Sequence, residues 1–292
     1  MVNYTTDYKS DIYKPNTIFK SKSGENFIIV GKSIDRKGFM CGYFDNDNNT
    51  IIEVDIKSLK SCIFKNKNNP SVYGVGYIGY GEYDSKNSKK FYKTWCGMLE
   101  RCYVDSVKNK YLVTYKNVAV CEEWLNFQNF AKWCSRTYIK GYQLDKDLKQ
   151  FGVKNKIYSP ETCVWLDKFI NSFIRFDFCG KNYNLGLRHR KNSEHVEVSI
   201  SLGDRNSTSI VCKNKEDAVN INSYLRNFKI DNIKTYMYEL NIYSLSTINS
   251  LDLFKADLKH IPCGYEDKIN RAKLKITEYV QSAKALKDKL NG

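Results

Sequence analysis

Gly74-Val75-Gly76-Tyr77-Ile78-Gly79-Tyr80-Gly81 is a run that no helix would tolerate, and it leads into the part of the chain whose spacing decides the fold. From Lys89 onward, Phe91, Trp95, Met98, Leu99 and Cys102 recur at helical intervals, which predicts a helix with one apolar face and with Lys90, Lys93 and Arg101 off it. A second helix is expected from about Glu122, with Trp124, Phe127, Phe130, Ala131 and Cys134 inward and an acidic start suited to a helix N-terminus. The tryptophans fall on the apolar stripes and therefore read as core rather than as stacking platforms for bases. After Gly141 the period changes. Tyr142-Gln143-Leu144-Asp145 and Cys163-Val164-Trp165-Leu166 read as short strands joined by an irregular loop with Asn155, Ser159 and Pro160. Asp167 then caps a short helix from Lys168 to Phe173.

On the N-terminal side, Phe27-Ile28-Ile29-Val30, Gly38 to Phe44 and Thr50 to Val54 are three runs of strand formers, and Asp45 to Asn49 supplies a hairpin turn. They predict a small SH3-like β barrel over residues 1–70, with Asn66 to Pro70 as the linker out of it. On the C-terminal side, residues 181–242 read as three strands and a helix: Tyr183 to Arg190, Val196 to Leu202, a turn at Gly203 to Asn206, Ser209 to Cys212, then a helix from Asn214 to Phe228. A further helix is expected from Asp231 to Asn241. Residues 243–292 form a helical tail in which Ile269, Ala272, Ile276, Tyr279, Ala283, Leu286 and Leu290 make a coiled-coil-like seam. Such a seam packs either on its own body or on a second copy through 266–290. The fold class is thus α+β: β barrel, central helical scaffold over 73–178, three-stranded sheet plus helix, and C-terminal helices.

The chain has 292 residues with 47 Lys+Arg against 32 Asp+Glu, a formal charge of +15. The excess is spread along the chain, which favours polyanionic partners and nucleic acid first among them; a Lys- and Asn-rich composition also follows from an A/T-rich genome. Ten cysteines include no Cys-x-x-Cys pair, so they read as reduced core residues, and zinc held by Cys102, Cys121, Cys134 and Cys163 is disfavoured. No signal peptide or membrane-spanning run is expected, which points to a cytoplasmic protein.

The words from Gly74 to Gly81, Val120-Cys121-Glu122-Glu123-Trp124, Leu144-Asp145-Lys146-Asp147, Tyr158-Ser159-Pro160-Glu161 and Cys163-Val164-Trp165, in this order, resemble the HNH-type homing endonucleases and related DNA-binding proteins of bacterial viruses. The resemblance implies a ββα-metal fold for 73–178 and phosphodiester cleavage with a divalent metal, Mg²⁺ or Mn²⁺. It sets Asp145 at the acidic metal ligand, Asn171 at the ligand on the helix, Asn155 at the loop Asn, and Lys146 where the family has its catalytic His. The three histidines, His189, His195 and His260, all lie outside the stretch. A lysine of ordinary pKa, about 10.4, is protonated at neutral pH and is no base. Either Asp147 or a metal-activated water serves instead, or the site no longer cuts, so whether the protein is an enzyme stays open. Without the resemblance, Asp145-Lys146-Asp147 reads as an exposed, charge-balanced turn and Asn155 as a turn residue.

Residues 181–242 resemble the plant ethylene-response-factor type of DNA-binding domain, which lays its sheet in the major groove. That implies contacts from Arg188, Arg190, Lys191 and Arg205 to bases or phosphates; the alternative is solvated charge on a half-buried sheet. Together the resemblances imply a viral protein that binds double-stranded DNA in the cytoplasm of an infected bacterial host. The alternative is a catalytically inactive viral protein that binds and inhibits a host defence complex, as the missing His, the docking-type β module and the C-terminal heptads would suit.

Overall fold

The N-terminal alternation becomes an antiparallel sheet built on one long strand. In the computed structural model, which describes residues 2–110, 115, 117–150, 153–173, 186–191, 193–203, 206–240, 245–252, 255–258 and 260–291, β3 (Asn26–Ser33) buries alternate residues and pairs with β4 (Phe39–Phe44), which pairs with β5 (Asp47–Asp55). Two short strands that sequence periodicity does not reveal, β1 (Tyr4–Thr5) and β2 (Ile18–Lys20), share the other edge of β3. No pairing among the described residues joins β5 back to β1, so the curled sheet is a half-barrel. Phe27, Ile29, Met40, Phe44, Leu59 and Phe64 fill it. Leu59 comes from α1 (Ile56–Ser61), whose N-cap Asp55 accepts from the Ser58 amide at 2.9 Å.

Asn66 to Pro70 is no loose linker. Asn66 is buried, its amide N–H donates to Glu25, its side chain donates to Asn46, and its Oδ1 accepts from the Asn68 amide. The Lys67 amide donates to the Tyr80 hydroxyl, which burial raises to about 12. The glycine-rich run thereby reaches back to the sheet while its other side is clamped on the central helices. Tyr77 exchanges backbone bonds with Leu125 and Phe127, and Gln128 Nε2 donates to the carbonyls of Ile78 and Tyr83. Glycine is needed there: a Cβ on Gly76 would lie 2.4 Å from Leu99 Cδ1, and Gly79 has φ +71° with Asn126 against it.

The central core packs α2 (Lys89–Tyr103) on α4 (Phe127–Thr137), with the short α3 (Asp105–Lys110) between them in sequence. Trp95, Met98, Leu99, Cys102, Trp124, Phe127, Phe130, Ala131 and Cys134 are all buried, as their spacing predicts. Glu122 begins a 3₁₀ turn (Glu122–Leu125), and α4 itself starts at Phe127, where Asn126 accepts from the Gln128 amide. A parallel pair, β6 (Ala119–Val120) with β8 (Ile157–Tyr158), is also present.

Strand, loop, strand and helix then follow in the expected order. β7 (Gln143–Asp145) pairs antiparallel with β9 (Val164–Leu166), matching Asp145 to Val164, and Asp167 caps α5 (Lys168–Phe173). Leu148, Leu166 and Ile170 do not join the tryptophan core; they belong to a third core with the C-terminal elements. That core is one face of β10 (Leu187–His189), β11 (Val196–Gly203) and β12 (Asn206–Cys212), covered by α6 (Lys215–Glu239). The two helices expected here are one, because Ile230, Ile233, Tyr236 and Met237 continue the buried pattern without a breaker. After α7 (Leu245–Asp252), α8 (Glu266–Asn291) lays Ile269, Ala272, Ile276 and Val280 against α6 and β12. Of the two destinations for the seam, its own body is the one seen over 269–283; the side chains of Leu286 and Leu290 lie outside the described residues. No described helix is long and apolar enough to cross a membrane.

Candidate functional site

Asp145 ends β7 with its carboxylate turned into the chain that follows. Its Oδ2 accepts from the amides of Asp147 at 2.9 Å and Leu148 at 2.8 Å, which closes the 3₁₀ turn Leu148–Gln150. Burial, and then the neighbouring Asp147 charge, raise its carboxyl to about 6, against the lowering pull of those amides and of Lys146. Gln150 holds the turn from the other side, donating to the Lys146 and Ile157 carbonyls and accepting from the Ile157 amide.

Lys146 is buried, not an exposed turn residue: its side chain is 2% exposed. Its Nζ donates to both carboxylate oxygens of Asp147, at 2.9 and 2.8 Å, and stands 4.9 Å from the ring centre of Tyr115 and 5.8 Å from that of Tyr158. Burial alone would raise the Asp147 carboxyl, but Lys146 and Lys156 together hold it below the usual range. Arg101 from α2 closes the cluster, 5.8 Å from the Tyr115 ring centre; burial opposes its charge, and Tyr158 and Tyr115 more than restore it. Sequence reasoning missed Arg101, Tyr115, Tyr158 and Lys156 as members of this cluster. The one available signal is that Arg101 borders the apolar face of α2.

The other expected site residues are scattered over different surroundings. Asn171, on α5, donates its side-chain amide to Gln143 Oε1 at 2.9 Å. Asn155 is exposed. Ser159 bonds Thr162 and donates its hydroxyl to Glu161 across the Ser159-Pro160-Glu161 bend. Among the described residues no three His, Cys, Asp or Glu side chains gather as metal ligands, and Cys102, Cys121, Cys134 and Cys163 are free thiols. Asp145 and Asn171 are thus each engaged by groups of the fold.

Arg188, Arg190 and Lys191 are all exposed, on β10 and the turn that follows it. Arg188 lies opposite Glu197 in the register, on the sheet face that also carries Ser199, Ser201, Ser207 and Ser209. Arg205 lies outside the described residues. No family model, curated protein or solved structure matches the chain.

Proposed function

We propose that the protein binds double-stranded DNA on a scaffold of the HNH type without cutting it. The observation that carries this is the exposed run Arg188, Arg190 and Lys191 at the edge of a three-stranded sheet whose outer face is otherwise mostly hydroxyl groups. A sheet backed by α6 presents a hydrogen-bonding surface to a groove, and the basic edge meets the phosphates. Cleavage is a different matter. Lys146 cannot take a proton from water while it is a buried ammonium bonded to Asp147, and Asp147 is already shared between two lysines. Asp145 accepts two backbone amides, and Asn171 holds Gln143, so the residues that would bind Mg²⁺ or Mn²⁺ are occupied with folding.

A gel assay on genomic and random duplexes, with Mg²⁺, Mn²⁺ or chelator, tests this. The expected result is a retained, uncut duplex that is indifferent to chelator; metal-dependent nicking contradicts the non-cutting part, and absence of retention contradicts DNA binding.

The alternative of a viral inhibitor docking on a host protein is favoured by one feature. Ile12 and Ile18, more than half exposed, lie on and just before the edge strand β2. Retention of a host complex in the absence of any DNA affinity would select that reading.

A further inference from the structure

The outward face of α2 carries a basic patch that the sheet-based contact does not use. Lys89, Lys90 and Lys93 are exposed on the side of the helix opposite Trp95, Met98 and Leu99, and Lys86 is exposed in the turn before it. No acidic residue stands in the first turn of α2. Asp84, the nearest carboxylate in the preceding turn, accepts from the amides of Lys86 at 2.6 Å and Asn87 at 2.8 Å. Lys89, Lys90 and Lys93 enter no ion pair among the described residues.

One helical turn beyond Lys93, the same face is interrupted by Gly97 in the middle of a 15-residue helix. Glycine there costs helix stability, and no described neighbour requires it. Among the described residues, a Cβ at Gly97 would meet only Arg101 Nη1, at an ordinary 3.5 Å. A glycine that no described neighbour requires, one turn beyond a row of exposed lysines, suits the close approach of an external backbone.

Resting on the DNA-binding reading above, we propose that this face of α2 is a second phosphate-backbone contact, with Lys89, Lys90 and Lys93 on successive phosphates and the duplex lying close over Gly97. The occupant is a nucleic-acid duplex by charge complementarity: unpaired cations in a row with a gap in the side-chain surface match a polyphosphate strand. Glu100, farther along the helix, limits the run at its C-terminal end.

The test uses the full chain and a random-sequence duplex of about 30 base pairs, with binding measured across salt concentration. K89A/K90A/K93A is expected to keep its melting temperature and to lower the slope of log K against log salt by about 3, one for each lysine. Between about 50 and 200 mM salt the wild type then loses roughly 60-fold more affinity than this variant. Gly97→Gln is expected to raise the melting temperature while weakening binding about tenfold, the loss of one charge-assisted contact. Wild-type binding with an unchanged slope in the triple variant, or with G97Q binding as tightly as wild type, overturns the α2 surface alone. Failure of the wild type to bind overturns the DNA-binding reading with it.

Discussion

Two groups of cations in this molecule have opposite fates. Arg101, Lys146 and Lys156 converge on Tyr115, Tyr158 and Asp147, and Lys146 is all but sealed from water. Arg188, Arg190 and Lys191 stand in solvent at a sheet edge. A buried ammonium is tolerated only when a counter-charge and polarisable faces replace its water, so the first group is spent on holding the 145–161 loop to α2. The second group pays no desolvation and stays available to a partner. Position in the fold, not residue type, decides which cation is structural and which stays exposed to solvent.

Removing the buried member should have the largest effect. Lys146→Ala deletes the ion pair and a buried aliphatic stem, and an equilibrium urea titration is expected to show a loss of about 3 kcal/mol. A loss below about 0.5 kcal/mol, the range of ordinary surface changes, breaks the contrast between the two groups. Lys146→Met keeps the stem and should recover part of the loss.

Next comes Asp145, whose carboxyl is raised to about 6. A raised carboxyl favours the fold below the unfolded value of about 3.9 and loses that contribution as pH climbs through about 6. Asp145→Asn keeps an oxygen for the two amides without the buried charge. Its stability relative to wild type should therefore rise between about pH 4 and 6, by on the order of 2 kcal/mol, and then level off. Asp147 is lowered and acts in the opposite sense: its contribution is present above the unfolded carboxylate value and is lost as pH falls through the folded one. A difference between wild type and D145N that stays flat from pH 4 to 7 would show that the Asp145 carboxylate is not desolvated.

The smallest stability effect belongs to the exposed group. R188A/R190A should unfold within about 0.5 kcal/mol of wild type by the same titration. A larger loss would mean that these arginines are structural too.

The sequence makes the apolar scaffold legible and the polar one not. Trp95, Trp124, Phe127 and Phe130 announce their burial through helical spacing, and Val196, Val198 and Ile200 through strand alternation, because both signals are local. The strands at Tyr4–Thr5 and Ile18–Lys20 are too short to alternate and exist because β3 offers them an edge. Asn66 to Pro70 reads as solvated chain, yet Glu25 and Asn46, distant in sequence, order it. The same holds for Asp145-Lys146-Asp147. Alternating charge reads as an exposed turn unless Arg101, Tyr115 and Tyr158 are known to converge on it, and their separations carry no period. The seam of α8 was legible in its first three positions, Ile269, Ala272 and Ile276. At the fourth, Val280 is buried and Tyr279 only partly so, because the helix follows its own 3.6-residue period against α6.

The division of labour between buried and exposed cations is tested most directly by the salt dependence of duplex binding in R188A/R190A and in K146M, each measured where the variant is folded. The expected result is a log–log slope lowered by about 2 in R188A/R190A and unchanged in K146M. A lowered slope in K146M, with R188A/R190A identical to wild type, would place the phosphate contacts in the Lys146 cluster and contradict the account.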